Sequence, residues 1–179
     1  MKKSIFATLL FLFPLFGHGQ ETPKSDYYPP ANDPPQKFPE IKGYVGIVHP
    51  LYTWSADGNQ PNFRDYYLVG MPWGLNIWKS KKVGLSFEFT PFFKTDNKGG
   101  KMSNFLFHPG ICYRLGHEFT FIGRLAFETS GRVGFTPILN RVWWRGKDCN
   151  FFTALLFPAR FGNNQAASLT VSFQFGLGF

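Results

Sequence analysis

The sequence predicts an all-β chain whose antiparallel strands close into a transmembrane up-and-down β-barrel of eight strands. The first observation is the last segment. Leu169, Val171, Phe173, Phe175, Leu177 and Phe179 alternate with Ser168, Thr170, Ser172, Gln174, Gly176 and Gly178. A period of two is the strand period, and neither face of this strand carries a charge. The small polar face suits a crowded interior and the greasy face suits lipid, the reverse of a soluble sheet. The second observation is composition: aromatics make up 20% of the chain, with 23 Phe, and charged residues only 17%, against about 25% in ordinary globular domains. A mean hydropathy of −0.16 is compatible with this, since only alternate residues of such strands face lipid. The third observation is seven further strand-like segments between residues 41 and 161, separated by polar turn signals.

Taken in order, the first strand spans residues 41–52 and is followed by the polar loop SADGNQPN. The second spans 63–78 and turns at Lys79–Lys82. The third, 83–93, sets Val83, Leu85, Phe87, Phe89 and Phe93 against Gly84, Ser86, Glu88 and Thr90. A loop over 94–103, rich in Lys, Gly and Asn, leads to the fourth strand, 104–115. There Phe105, Phe107, Ile111 and Tyr113 oppose His108, Gly110, Cys112 and Arg114. Gly116–Glu118 turns into the fifth strand, 119–129, with Phe119, Phe121, Leu125 and Phe127 against Thr120, Arg124 and Glu128. The sixth (132–144) and seventh (149–161) are blurred by Pro137, Pro158 and adjacent aromatics, because proline removes a ladder donor. An even count returns both chain ends to one rim, with the longer loops 53–62 and 94–103 on the other. A ten-stranded barrel would need turn signals that are absent. A soluble barrel of the lipocalin kind would reverse the two faces.

The beginning of the chain carries its own pattern. Lys2 and Lys3 precede an apolar run from Ile5 to Phe16, and Gly17-His18-Gly19 follows. This is the layout of a secretory signal peptide over residues 1–19; a dozen apolar residues are too few for a spanning helix. Residues 20–40 hold Pro23, Pro29, Pro30, Pro34, Pro35 and Pro39 without periodicity, which predicts a periplasmic linker. The barrel is expected over 41–179. The formal net charge of +8 is scattered through turns and forms no basic stripe, which argues against nucleic acid and for anionic lipid headgroups.

A strand of this kind ending on Phe179 resembles the closing strand of bacterial outer-membrane barrels. The signal peptide, the alternating aromatic strands and the terminal Phe together resemble the small eight-stranded class that includes the OmpA membrane domain and OmpX. That resemblance implies residence in the outer membrane, with the N-terminus periplasmic. It also implies contact with outer-membrane lipids and lipopolysaccharide, and delivery by a barrel-insertion machinery. Phe175, Leu177 and Phe179 would form the C-terminal assembly signal. No motif selects one member of the class or another protein partner.

The inward polar positions Glu88, His108, Arg114, Arg124, Glu128 and Arg160 are the candidate site. Buried charges are costly alone, so they are expected to pair across strands as a lumenal network. Arg124 and Glu128 lie about 13 Å apart along one strand at the strand rise, too far for contact, so their partners must lie on neighbours. Glu88 and His108 are expected at similar depth, where such a pair could serve as acid and base. Against catalysis, no GxSxG elbow, metal-ligand spacing or phosphate-cradling glycine loop occurs, and neither a cofactor nor a metal is called for. Cys112 and Cys149 show no partner spacing. The sequence therefore favours a non-enzymatic barrel with a plugged lumen and a structural or surface-interaction role. A lipid-modifying enzyme or a carrier of small hydrophobic molecules is the alternative, and an eight-stranded wall leaves no wide pore.

Overall fold

The computed structural model describes residues 37–97 and 99–179. The expected signal peptide and residues 20–36 of the expected linker lie outside them. Eleven strand segments are present: β1 (Glu40–Ser55), β2 (Gln60–Pro61), β3 (Tyr67–Gly70), β4 (Trp73–Trp78), β5 (Val83–Asp96), β6 (Gly99–Gly116), β7 (Phe119–Glu128), β8 (Val133–Arg145), β9 (Asn150–Leu156), β10 (Ala159–Phe161) and β11 (Ser168–Gly178). All pairings are antiparallel, and the order runs from β1 through β3 and β4 to β5, β6, β7 and β8. It continues through β9 and β10 to β11, which pairs back onto β1. The sheet has no open side, so it is a barrel.

The eleven segments amount to eight staves, with the two-residue β2 a short piece paired to β1 ahead of the second stave. β3 and β4 are one stave interrupted at Met71-Pro72, and β9 and β10 are another interrupted at Phe157-Pro158. Each break falls at a proline, which has no N–H to donate. The neighbouring groups keep pairing through it. Met71 N–H donates to the Pro91 carbonyl and Gly46 N–H to that of Pro72; Phe157 N–H donates to Pro137 and Thr170 N–H to Pro158. The β6–β7 ladder likewise skips from Phe107↔Phe127 to Gly110↔Arg124 around Pro109.

The seam between first and last staves runs in register from Tyr44↔Gly178 to Ser55↔Ser168, with an irregularity between Pro50 and Tyr52. Phe179 extends it. Its carbonyl accepts from Gly43 N–H at 2.9 Å, and its own N–H donates back to Gly43 at 2.9 Å.

Two expectations need correction. The expected loop 94–103 is instead the tip of a long hairpin: β5 and β6 stay paired out to Asp96↔Gly99. A two-sided polar strand looks like a loop in sequence, because alternation is visible only where the faces differ. In contrast, residues 63–66 are not strand. Phe63 takes a positive φ of 70°, and the Asn62 side chain pairs with both the N–H and C=O of Leu68. The chain enters the second stave only at Tyr67.

The outer wall is apolar, while the interior holds both an apolar cluster and most of the buried polar and charged groups. Ile111, Leu125, Phe121, Leu139, Leu155 and Leu177 face outward and are exposed, whereas Ser86, Glu88, His108, Arg124, Thr136, Ser172 and Gln174 are buried inside. Outside, Trp73, Phe89, Phe107 and Phe127 sit side by side on successive staves, with ring centroids 4.8, 5.1 and 6.4 Å apart.

Close approach inside this small barrel depends on glycine at particular places. A Cβ on Gly110 would meet the Gly123 carbonyl and come within 2.7 Å of Arg124 Cγ, whereas one on Gly123 would meet only a Phe121 ring carbon at 3.8 Å. Gly110→Ala is expected to lower stability by about 1–3 kcal/mol through overpacking, while Gly123→Ala leaves it nearly unchanged. Urea unfolding midpoints of the two variants in detergent measure the difference.

Candidate functional site

The alternation of each stave points every second side chain into the lumen, where polar groups stand beside an apolar cluster of Val48, Trp78, Ile122, Ile138, Ala154 and Leu156, and registers decide which of the polar ones meet. β5 and β6 place Glu88 opposite His108, and the two side chains are 3.1 Å apart, His108 Nδ1 to Glu88 Oε1. From β7, Arg124 Nη1 donates to Glu88 Oε2 at 2.7 Å, and its Nε and Nη2 both donate to Ser86. Arg124 Nη2 also donates to the Tyr44 hydroxyl at 2.8 Å, and that hydroxyl donates to Glu88 Oε2 at 2.8 Å. Thr90 donates a longer bond to Glu88 Oε1. The carboxylate thus accepts from four side chains on four staves, which is the condition for keeping a charge in a dry interior. Both partners of the Arg124–Glu88 pair are almost fully buried.

The network continues toward the rim opposite the C-terminus. His108 Nε2 lies 2.9 Å from Thr136 Oγ1, and Arg160 Nη1 donates to the same oxygen at 3.1 Å. Arg160 Nε donates to Glu128 Oε1 at 2.7 Å, and Ser130 donates to Glu128 Oε2 at 2.9 Å. Arg132 Nη2 donates to the carbonyls of Arg160 and Ala166 and to Ser168 Oγ. A His108 carrying its proton on Nδ1 would complete the set, donating to Glu88 and accepting from Thr136 O–H at Nε2.

Five of the six candidates, Glu88, His108, Arg124, Glu128 and Arg160, therefore form one hydrogen-bonded chain across the lumen. Arg114 is separate. It lies nearer the rim of the C-terminus, with its guanidinium 3.8 Å over the Trp78 ring and a bond to Glu40 at 3.2 Å. Tyr44, Ser86, Thr90 and Thr136 complete the network but were not among the candidates. Ser86 and Thr90 stood on the polar face of their stave. Tyr44 was missed because it is amphipathic, and Thr136 because Pro137 obscured its stave.

Glu88, His108 and Thr136 stand in the order carboxylate, imidazole, hydroxyl that hydrolytic triads use. Here the order does not make a catalyst. Thr136 has no exposed surface, and Arg160 occupies its oxygen. An apolar groove on the outer wall, lined by Ile111, Phe121, Leu125 and Phe135, borders Thr136, but Thr136 is fully buried and so does not present its hydroxyl there. Among the described residues, no three metal-ligating side chains cluster, and Cys112 and Cys149 are both unpaired.

No family model matches the chain, and no curated protein does. Among solved structures, it is similar to a protein described under "De novo design of transmembrane beta-barrels", at 10% identity and a TM-score of 0.38, over 79% of this chain and 98% of that one. A second de novo designed protein, solved by solution NMR, matches at 11% identity and a TM-score of 0.39, over 79% and 93%. The barrel is defined by its own strand pairings rather than by these distant likenesses.

Arg124→Met strands the Glu88 carboxylate in the interior and is expected to cost about 3–5 kcal/mol. Adding Glu88→Gln to that variant removes the orphaned charge and should recover much of the loss. A double-mutant cycle on unfolding midpoints checks both.

Proposed function

We propose that this chain is an integral outer-membrane β-barrel with a plugged lumen and a structural or surface-interaction role. The single observation that carries the proposal is the apolar outer face of a closed wall. A soluble protein does not leave a continuous belt of Ile, Leu and Phe in water. Lipid accepts that belt, and a closed barrel is one of only two backbone arrangements that satisfy every peptide group inside a bilayer. The aromatic row through Trp73, Phe89, Phe107 and Phe127 suits a membrane boundary, where amphipathic and aromatic rings anchor the wall.

In this proposal residues 1–19 are a signal peptide, and the linker leads from the periplasm into β1. The rim that holds Phe179 and the turns at 79–82, 116–118 and 146–149 then faces the periplasm. Lys79, Lys81, Lys82 and Lys147 on that rim meet anionic headgroups. The opposite rim presents the loop at 56–66 and the hairpin tip of β5 and β6 toward lipopolysaccharide or another surface partner. Phe175, Leu177 and Phe179 serve as the assembly signal, with Phe179 pairing Gly43 as the last closing contact. Enzymatic lipid modification is the weaker alternative, because the one hydroxyl within reach of His108 is sealed.

The chain expressed in a Gram-negative host is expected to fractionate with outer membranes and to show heat-modifiable mobility on gels. Phe121→Arg should weaken folding into bilayers by about 2–4 kcal/mol if that residue sits near mid-depth, while Phe121→Leu should not. Recovery of the wild type as a detergent-free periplasmic protein would overturn the proposal.

A further inference from the structure

Below Arg124 and Tyr44 the lumen is not filled. A cavity of about 120 Å³ lies between that layer and the rim of the C-terminus. Its walls combine Trp78, Phe152 and Ile138 with four amides, Asn76, Asn140, Asn150 and Gln174. Lys42, Arg114, Arg124 and Arg145 line it too, and no Asp or Glu does. The balancing carboxylates lie behind these cations: Glu40 holds both Lys42 and Arg114 at 3.2 Å, and Glu118 holds Arg145. One glutamate shared by two cations leaves the mouth positive.

Gln174 gives this space a direction. The residue is only 3% exposed, it lines the cavity, and among the described residues its side-chain amide bonds to no protein group. Its amide is not among the buried side-chain atoms cut off without a partner, which are Arg132 Nε and Arg141 Nε among the described residues, so it stays open to the cavity, with Gly46 across the seam leaving room beside its Nε2. Asn140 and Asn150 also contribute side-chain amides with no protein partner. Each can donate N–H bonds into the cavity, next to cations that favour negative charge.

We infer that this vestibule is a binding site for a small organic or inorganic anion, a carboxylate or a phosphate monoester head, entering from the C-terminal rim. Gln174 and the asparagines donate to its oxygens, and Arg114 and Arg145 at the mouth supply charge. The volume is well below the roughly 300–1,000 Å³ of drug-sized pockets, so the bound portion is small. The inference needs only the closed barrel and is independent of the membrane setting proposed above.

The test uses the full chain refolded in zwitterionic detergent and follows side-chain amide resonances by NMR. Sodium acetate and sodium phosphate are titrated separately at constant ionic strength, with tetramethylammonium chloride as control. The expected result is a saturable shift of the Gln174 amide with acetate, phosphate or both, and none with the control salt. The preferred anion identifies the source of the oxygens. Gln174→Leu should weaken binding, followed calorimetrically, about tenfold or more, as loss of a charge-assisted bond implies, with an unfolding midpoint unchanged or raised. Arg145→Gln, at an exposed position, should weaken binding and steepen neither unfolding nor refolding. The inference is overturned if chloride gives the same shift as the oxyanions, or if both variants bind like wild type. It is also overturned if Gln174→Leu lowers the midpoint, since the amide would then serve the fold.

Discussion

Pairing of β1 with β11 is the constraint on which the other features depend. While the sheet is open, two strand edges expose unpaired N–H and C=O groups, and the interior is reachable from the side. Once Tyr44 through Ser55 pair with Gly178 through Ser168, each stave has two neighbours and the inner face can be reached only from the rims. Small polar residues on β11 then cease to be a wet surface and become packing. Gly176 and Gly178 let the staves curve and approach, and Ser172 and Gln174 fit beneath the turn of the wall. Phe179 carries the seam one position beyond Gly178 through its two bonds with Gly43.

Closure also explains why the interior can be ionic. Glu88 and Arg124 sit where either charge alone would be prohibitively costly. They are tolerated because the curved wall aims Tyr44, Ser86, Thr90 and His108 at the same spot from separate staves. Such a network contributes little net stability compared with a well-packed apolar core. Its contribution is to fix register: a shift of one residue in any of these staves would turn the polar group outward and break several bonds together. The prolines on six staves are compatible with this arrangement, since each break in a ladder is bridged by an adjacent carbonyl or lies on the outer face.

Much of the fold was legible in the sequence because inside and outside differ in polarity. Strands with Phe or Leu opposite Gly, Ser and Thr declared their faces, and the eight-stave count followed. Where both faces are polar, as over Lys94–Asp96 and Gly99–Ser103, strand looked like loop. Where Pro137 and Pro158 interrupt alternation, strand boundaries were unclear and Thr136 went unnoticed. The set of inward charges was legible too, but not who meets whom. That Glu88 meets Arg124 and Glu128 meets Arg160 depends on cross-strand register, and one sequence encodes register only through packing. The vestibule was invisible for the same reason: Gln174, Asn140 and Asn150 come from three staves and share no local pattern.

The central claim is that the wall faces lipid and the polar network faces inward, and two tryptophans of one stave test it most directly. Trp73 lies on the outer wall, half exposed, and Trp78 is buried in the lumen beneath Arg114. Single-tryptophan variants that keep one of the two, with the other indoles changed to Phe, would be folded into vesicles containing brominated phospholipids. Strong quenching of Trp73 with Trp78 spared is the result this account predicts. Equal quenching of both, or quenching of Trp78 alone, would contradict it.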